Sequence, residues 1–271
     1  MDRFPEGIDV GRPSTARVYD CLLGGTDNFP ADRELFARLL AVAPDCMRAA
    51  MANRAFLRRV VRFLAAEAGI RQFLDIGSGL PTRGNVHQVA REMGCHARVV
   101  YVDSDPAVVA HGRTLLGDSA AFMVGDLRRP QQVLESEPVR RLLESGQPVA
   151  LTLLAVLHHI NDDEDPAGIT AVLCDALPKG SYLAISHFRN ISATSPANAQ
   201  AIAATQEILK EALGSGVWRS DEEILAYFGD LALIEPGLVP LVEWRPAPGR
   251  TPFHYHIEAD QSFVGGVAQK E

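Results

Sequence analysis

Nowhere in its 271 residues does the chain contain a stretch of about 18 apolar residues free of charge, the minimum for a membrane-crossing helix. Its first residues, MDRFPEGIDVGRPS, also lack the apolar run of a secretory signal, so a cytoplasmic location with no membrane partner is expected. Cysteine is scarce: Cys21, Cys46, Cys95 and Cys174 are widely spaced, and no C-x-x-C pair suggests a zinc or redox site. Reduced, mostly buried thiols are the expectation. Lys/Arg-rich runs are missing too, and the formal net charge is −8. Because neutralising phosphates needs clustered cations, this argues against a nucleic-acid partner and for a small-molecule substrate.

What the chain does have is a large apolar fraction, 47%, enough for one sizeable core. From Pro30 to Gly69 apolar residues recur at three and four, as in Leu57, Val60, Val61 and Leu64, which predicts two helices broken near Pro44. The preceding PSTARVYDCLLGGTDNFPADR reads as a short helix and a tight loop. Residues 1–70 are therefore expected to form a helical cap that does not fold alone. After Gly69 the rhythm changes to short apolar runs, QFLDIG, RVVYVD, AAFMVGD, VALTLLA and SYLAIS, separated by helix-compatible stretches. Such runs indicate parallel strands covered on both faces. LALIEPGLVPLVEW and SFVGGVAQK read as two further strands forming an antiparallel hairpin at the sheet edge. The Ala-rich stretch after Pro196 predicts a helix inserted at about 190–217. The expected architecture is α/β, a core over 71–271 with a mostly parallel sheet and the N-terminal cap.

Three strand ends carry the functional signal. In FLDIGSGLPT the strand Phe73 to Ile76, which includes Asp75, runs into Gly77-Ser78-Gly79, where missing side chains let a ligand approach the backbone. Thr82 stands where a G-x-G-x-x-G dinucleotide fingerprint has its last glycine, which disfavours a pyrophosphate turn. RVVYVDSDP ends on Asp103, 26 positions after Gly77, where a doubly wound fold places an acid against ribose hydroxyls. Asp105, just before Pro106, suits a helix cap. FMVGDLR closes on Gly125 and Asp126, whose carboxylate and neighbouring amide suit an adenine edge. One such acid is an ordinary turn residue; three in this order and spacing point to a nucleoside-bearing cofactor.

FLDIGSG, YVDSD, VGD, AVLHHI and LPKGSYLAIS, taken together, resemble the successive motifs of class I S-adenosylmethionine-dependent methyltransferases, over roughly Gln72 to Phe188. That family implies a Rossmann-like, seven-stranded, mostly parallel sheet with an antiparallel edge strand. ARVYDCLLGGTDNFPADR and SDEEILAYFGDLALIEPGLVPLVEWRP extend the resemblance, to a bacterial methyltransferase-like family first catalogued as a domain of unknown function. The resemblance implies S-adenosylmethionine as cofactor and S-adenosylhomocysteine as product. It implies that Asp75, Gly77, Ser78 and Gly79 surround the methionine part, that Asp103 holds ribose with Ser104 beside it, and that Asp126 and Leu127 face adenine. Ala155 would lie near the sulfonium. The cap would fold over the cofactor, giving Tyr19, Asn28, Phe29 and Arg33 contact or lid roles. Lys179 replaces the first glycine of the usual Pro-Gly-Gly turn, while Gly180 remains to supply the unusual backbone angle.

The acceptor chemistry is less legible. His158 and His159 follow the fourth strand, where a side chain can reach the transferred methyl or an acceptor hydroxyl; His159 is the candidate base. The competing reading is that one of them packs and the other bonds a loop. Asn161-Asp162-Asp163-Glu164-Asp165 offers hard ligands but reads as a helix start, and His254 with His256, on one face of an extended FHYHIEA, lack a third ligand, so no metal is expected. The Asn-Pro-Pro-aromatic and Pro-Cys motifs of nucleic-acid methylation are missing. The leading expectation is an O- or N-methyltransferase of a small acceptor. A catalytically silent S-adenosylmethionine-binding protein and a nucleotide-dependent oxidoreductase on the same sheet remain as alternatives.

Overall fold

The computed structural model of the chain describes residues 9–81, 84–116, 120–246 and 258–271. It opens with three helices: α1 (Thr15–Leu22), α2 (Pro30–Val42) and α3 (Cys46–Arg62), the last continuing as a π-helical turn over Phe63–Glu67. The break between α2 and α3 falls around Pro44, as the sequence predicts. Alternation of strand and helix follows: β1 (Gln72–Ile76), α4 (Val86–Glu92), β2 (Arg98–Asp103), α5 (Pro106–Leu116), β3 (Ala121–Val124), α6 (Pro130–Glu135), α7 (Glu137–Leu143), β4 (Ala150–Leu154), α8 (Pro166–Ala176) and β5 (Tyr182–Phe188). The chain then forms α9 (Pro196–Leu213), α10 (Asp221–Ala226), the short strands β6 (Ala232–Leu233) and β7 (Val239–Pro240), α11 (Glu258–Gln261) and β8 (Phe263–Gln269). Among the described residues no helix is long and apolar enough to cross a membrane.

Strand order is β3-β2-β1-β4-β5-β8-β6, with β7 also pairing β8; the first five strands are parallel and β8 runs antiparallel to β5. Alternate residues of each strand feed two apolar clusters, one per face. Phe73, Val99, Tyr101 and Ala184 pack with α3 and α4, while Leu74, Val100, Leu151 and Leu183 pack with α6, α7 and α8. Covering on both faces is why these strands read as continuous apolar runs instead of alternating ones.

The last segment differs from the expected two-stranded hairpin, giving eight strands where seven were expected. β8 is interior, paired with β5 on one side and with β6 and β7 on the other. Pro236 and Pro240 remove ladder donors and Gly237 adopts φ 86°, so LALIEPGLVPLVEW yields two two-residue strands. Inside this corner Trp244 is fully buried, edge-on to Phe56 and Phe63 at 5.5 and 5.9 Å. Arg59 of α3 donates to the carbonyls of Trp244 and Leu241, fixing the segment to the helix.

The register positions the site. Ile76 pairs with Val102, Asp103 with Val124, and Asp75 with Thr152, so the carboxyl ends of β1, β2, β3 and β4 lie side by side. The order reverses between β1 and β4, which is the switch point where open α/β sheets bind ligands. At Gly265 a Cβ would come within 2.6 Å of Phe56 and 2.8 Å of Leu241. We expect Gly265→Ala to lower unfolding free energy by about 1–3 kcal/mol in urea denaturation, through overpacking. Phe56→Leu in the same chain should recover part of that loss, and purely additive effects would show that this contact is not the cause.

Candidate functional site

The turn after β1 is built for close approach. Gly77 has φ 75°, and a Cβ there would sit 2.5 Å from Val156, so only glycine fits both the backbone angle and the space. The amides of Gly77 and Ser78 donate to the Val102 carbonyl at 2.8 and 3.3 Å, anchoring the turn to β2. Gly79, at φ 66°, donates to Asp103 Oδ2 at 2.8 Å, and the Asp105 amide donates to Asp103 Oδ1 at 2.9 Å. Asp75, buried at the end of β1, accepts from Thr152 Oγ1 at 2.6 Å. Burial pushes the carboxyls of Asp75 and Asp103 up to about 6, against the opposing pull of their hydrogen bonds.

A second set of polar atoms holds the end of β4. Ala155 takes φ 57°, an uncommon angle for a residue with a Cβ, and its amide donates to Ser186 Oγ at 2.9 Å. Ser186 Oγ donates to Asn53 Oδ1 (2.7 Å), Asn53 Nδ2 donates to Tyr19 Oη (2.9 Å), and Tyr19 donates to the Ala50 carbonyl (3.2 Å). Asn53 and Ser186 are buried, so this string connects the cap helix α1 through α3 and β5 to Ala155. The cap is also latched beside the end of β2: Ser14 Oγ donates to Asp105 Oδ2 at 2.8 Å, and Asp105 Oδ1 caps α5 through the Ala107 amide. Buried Arg17 pairs with buried Asp32 at 2.7 Å, locking α1 to α2.

These elements enclose a cavity of about 830 Å³. Tyr19, Asp75, Gly77, Ser78, Gly79, Asp103, Ser104, Asp126, Leu127, Ala155 and His159 all line it. Asn28, Phe29 and Arg33 do not. Asn28 instead braces the loop, donating to Asp20 Oδ2 and the Gly25 carbonyl and accepting from Arg33, while Phe29 lies under the Arg17 guanidinium. Thr82, His254 and His256 lie outside the described residues.

The two histidines separate. His158 is buried and stacked on Phe188 at 3.6 Å; desolvation and the neighbouring His159 hold it well below the usual range. His159 faces the cavity, with Nδ1 3.1 Å from Ser215 Oγ, and burial plus Arg128 push it down to about 4. The loop carrying them is pinned by buried Arg219, which donates to the carbonyls of Leu157 and Ile160 and to Asp162, and bonds His187 Nε2. Asn161 caps the short turn Asp162–Glu164 and Asp165 caps α8, so the acidic run serves helix starts. Among the described residues no three His, Cys, Asp or Glu side chains converge as a metal site.

Two observations test the site against an adenosyl cofactor. Ser78 Oγ is buried in the glycine turn with no hydrogen-bond partner, and a Cβ at Gly79 would meet nothing within 4 Å, so the turn faces open cavity. Both fit a ligand seated against the turn. Sequence reasoning missed Asn53, Ser186, Thr152 and Arg54, which also lines the cavity. Their signal is three-dimensional, since each acts across elements.

Comparison with known proteins agrees with this geometry. A search of curated proteins found no match. A putative methyltransferase from Thermobifida fusca YX has a similar structure at TM-score 0.90, with 41% identity over 98% of each chain. A DUF574 family protein from Streptomyces avermitilis MA-4680 superposes at TM-score 0.86, with 35% identity over 97% of this chain and 99% of that one. An S-adenosylmethionine-dependent methyltransferase from Mesorhizobium loti, at 15% identity and TM-score 0.51, shares the fold over 78% of this chain and 96% of its own. Residues 1–271 match the family described as S-adenosyl methyltransferase. With that match spanning the chain and the glycine turn and strand-end acids gathered on one cavity, the protein belongs to the S-adenosyl methyltransferase family, and its cofactor is S-adenosylmethionine.

Proposed function

We propose that this chain transfers a methyl group from S-adenosylmethionine to an oxygen or nitrogen of a small-molecule acceptor. One observation carries the reading: Asp75, Asp103 and Asp126, at the ends of three neighbouring strands, line one cavity with the glycine turn. In this arrangement Asp103 accepts from ribose hydroxyls with Ser104 alongside, and Asp126 and Leu127 face adenine. Gly77, Ser78, Gly79 and Tyr19 surround the methionine part. Arg54 pulls electrostatically on Asp75, so the two offer opposite charges to a zwitterionic amino-acid end. Residues 1–70 act as a cap and α9 as an insertion that roofs the acceptor.

When bound, the sulfonium supplies an electrophilic methyl group. The residues' part is alignment, which by itself can supply much of the rate. The acceptor lone pair forms the new bond to carbon, the carbon–sulfur pair stays on sulfur, and the acceptor's proton leaves to solvent. His159, at about 4, holds a proton poorly and acts as a neutral ring that orients the acceptor.

Calorimetry with S-adenosylhomocysteine tests the donor half. Asp103→Ala should weaken binding by about 1–3 kcal/mol, and unchanged affinity would sink the ribose placement. Because Asp75 and Asp103 titrate near 6 in the free protein and the ligand favours their ionised forms, affinity should rise from about pH 5 to about pH 7 and then level. At pH 6 the bound state should release protons, seen as a dependence of the heat on buffer ionisation enthalpy. Methyl transfer to a panel of small hydroxyl and amine acceptors tests the other half; binding without turnover would favour a silent cofactor-binding protein.

The polar string behind Ala155 gives an independent check. Asn53→Ala strips partners from Tyr19 and Ser186, and should cost about 1–3 kcal/mol in urea denaturation. Combined with Ser186→Ala, the loss should fall short of the sum; strict additivity would mean the groups do not act as a unit.

A further inference from the structure

The cavity divides by chemistry. Apart from Asp45 at the junction of α2 and α3, every Asp and Arg in its wall lies at or beside the strand ends: Asp75, Asp103, Asp105, Asp126, Arg54 and Arg128. The opposite wall, from α1, α2, α9 and the segment after it, presents Val18, Leu39, Ile202, Leu209, Leu213 and Trp218. Part of this wall is a small apolar core of its own, where Val18, Leu35, Leu39 and Leu209 pack with Phe188 and Trp218. At about 830 Å³ the cavity lies towards the top of the range for ligand pockets, so space remains beyond the donor for a second molecule.

Between the two halves stand three parallel rings. His158 stacks on Phe188 at 3.6 Å and 14°, and Phe188 stacks on Trp218 at 4.5 Å and 19°. All three line the cavity, with Trp218 at the end of the stack and only half-buried. Polar groups in this half are few. Asn198 donates to Thr194 and Thr205 to the Ala201 carbonyl, both satisfied within α9 or at its start. His159 lines the cavity as well, its Nδ1 3.1 Å from Ser215 Oγ in the segment after α9.

An anionic acceptor drawn against this wall would lose its hydration without a free cationic partner, since Arg128 is already paired with Asp126 and Glu164, a cost that a neutral one escapes. A planar aromatic system gains offset stacking that a saturated ring of equal size does not. We propose that this half of the cavity binds an uncharged, planar aromatic acceptor bearing a hydroxyl group, stacked at the Trp218 end of the ring column with its hydroxyl towards His159. The inference rests on the donor reading above and names the class of molecule that receives the methyl group.

Calorimetry on the full chain saturated with S-adenosylhomocysteine separates the two. The probes are 2-naphthol, its anionic analogue 2-naphthoate and its saturated analogue decahydro-2-naphthol. 2-Naphthol should bind about tenfold more tightly than either. Trp218→Ala should weaken 2-naphthol about tenfold, with S-adenosylhomocysteine affinity held within about twofold. Ile202→Lys, on the partly exposed α9, should reverse the order of naphthol and naphthoate, a change that damage to the fold does not produce. If 2-naphthoate or decahydro-2-naphthol binds as well as 2-naphthol, or Trp218→Ala leaves 2-naphthol unaffected while S-adenosylhomocysteine still binds, the acceptor class is overturned and the donor reading stands. Failure of the wild type to bind S-adenosylhomocysteine overturns both.

Discussion

The site depends on what the two carboxylate oxygens of Asp103 do. One accepts the Gly79 amide and the other the Asp105 amide, so a single buried acid fixes both the turn after β1 and the start of α5. Asp105 in turn accepts from Ser14 of the cap and from Ala107 of α5. A buried carboxylate is costly unless hydrogen-bonded, and these backbone donors offset only part of that cost. The remainder appears as a value raised to about 6. Because folding raises the affinity of Asp75 and Asp103 for protons above that of an unfolded carboxylate, these two groups oppose folding as pH rises through about 4 to 6. Keeping them at the strand ends therefore costs stability in the free chain, a cost that the hydrogen-bond donors of the proposed ligand would relieve.

The second constraint sits at the end of β4. A left-handed angle at a non-glycine residue costs of order 1 kcal/mol and persists only where neighbours over-determine it. At Ala155 the neighbour is Ser186, whose hydroxyl accepts from the Ala155 amide and donates into the Asn53–Tyr19 string. Each hydroxyl and amide in the string has a fixed direction, because Tyr19 ends it on a backbone carbonyl. Helix α1 is thus tied in on two sides, through Ser14 before it to the end of β2 and through Tyr19 within it towards β4. Displacement of α1 would break both strings and leave buried polar atoms unpaired.

Legibility followed the range of the interactions. The helix break at Pro44, the alternation of strands and helices, and the glycines and acids at the strand ends are local, so the Gly77–Gly79 turn, Asp103 and Asp126 could be singled out from position and spacing, while Asp75 came with the family resemblance. The fate of LALIEPGLVPLVEW could not be read in this way, because its two short pairings with the side of β8 away from β5 depend on a strand brought from elsewhere in the chain. The family resemblance of the N-terminal segment put Asn28 towards the ligand, whereas in the structure its amide donates to Asp20 eight residues away. Asn53 and Ser186 lie inside apolar periodicity, where a polar residue gives no hint of what it faces across the fold.

The fate of His159 shows how geometry and electrostatics divide the work. Its place beside the cavity suits a base, but burial and the Arg128 guanidinium hold the ring neutral to about 4, so it is a poor sink for a proton at neutral pH. A neutral imidazole is still a directional partner, and Arg219, by holding Leu157, Ile160 and Asp162, fixes the loop from which it projects. In the proposed transfer the positive charge passes from sulfur to the acceptor atom and leaves with the acceptor's proton, so the acceptor half need hold no lasting opposite charge; the acids stand at the strand ends instead. In that reading the apolar half-cavity does the other necessary thing: it holds the acceptor in line with the methyl–sulfur bond, which for this reaction is where most of the acceleration can arise.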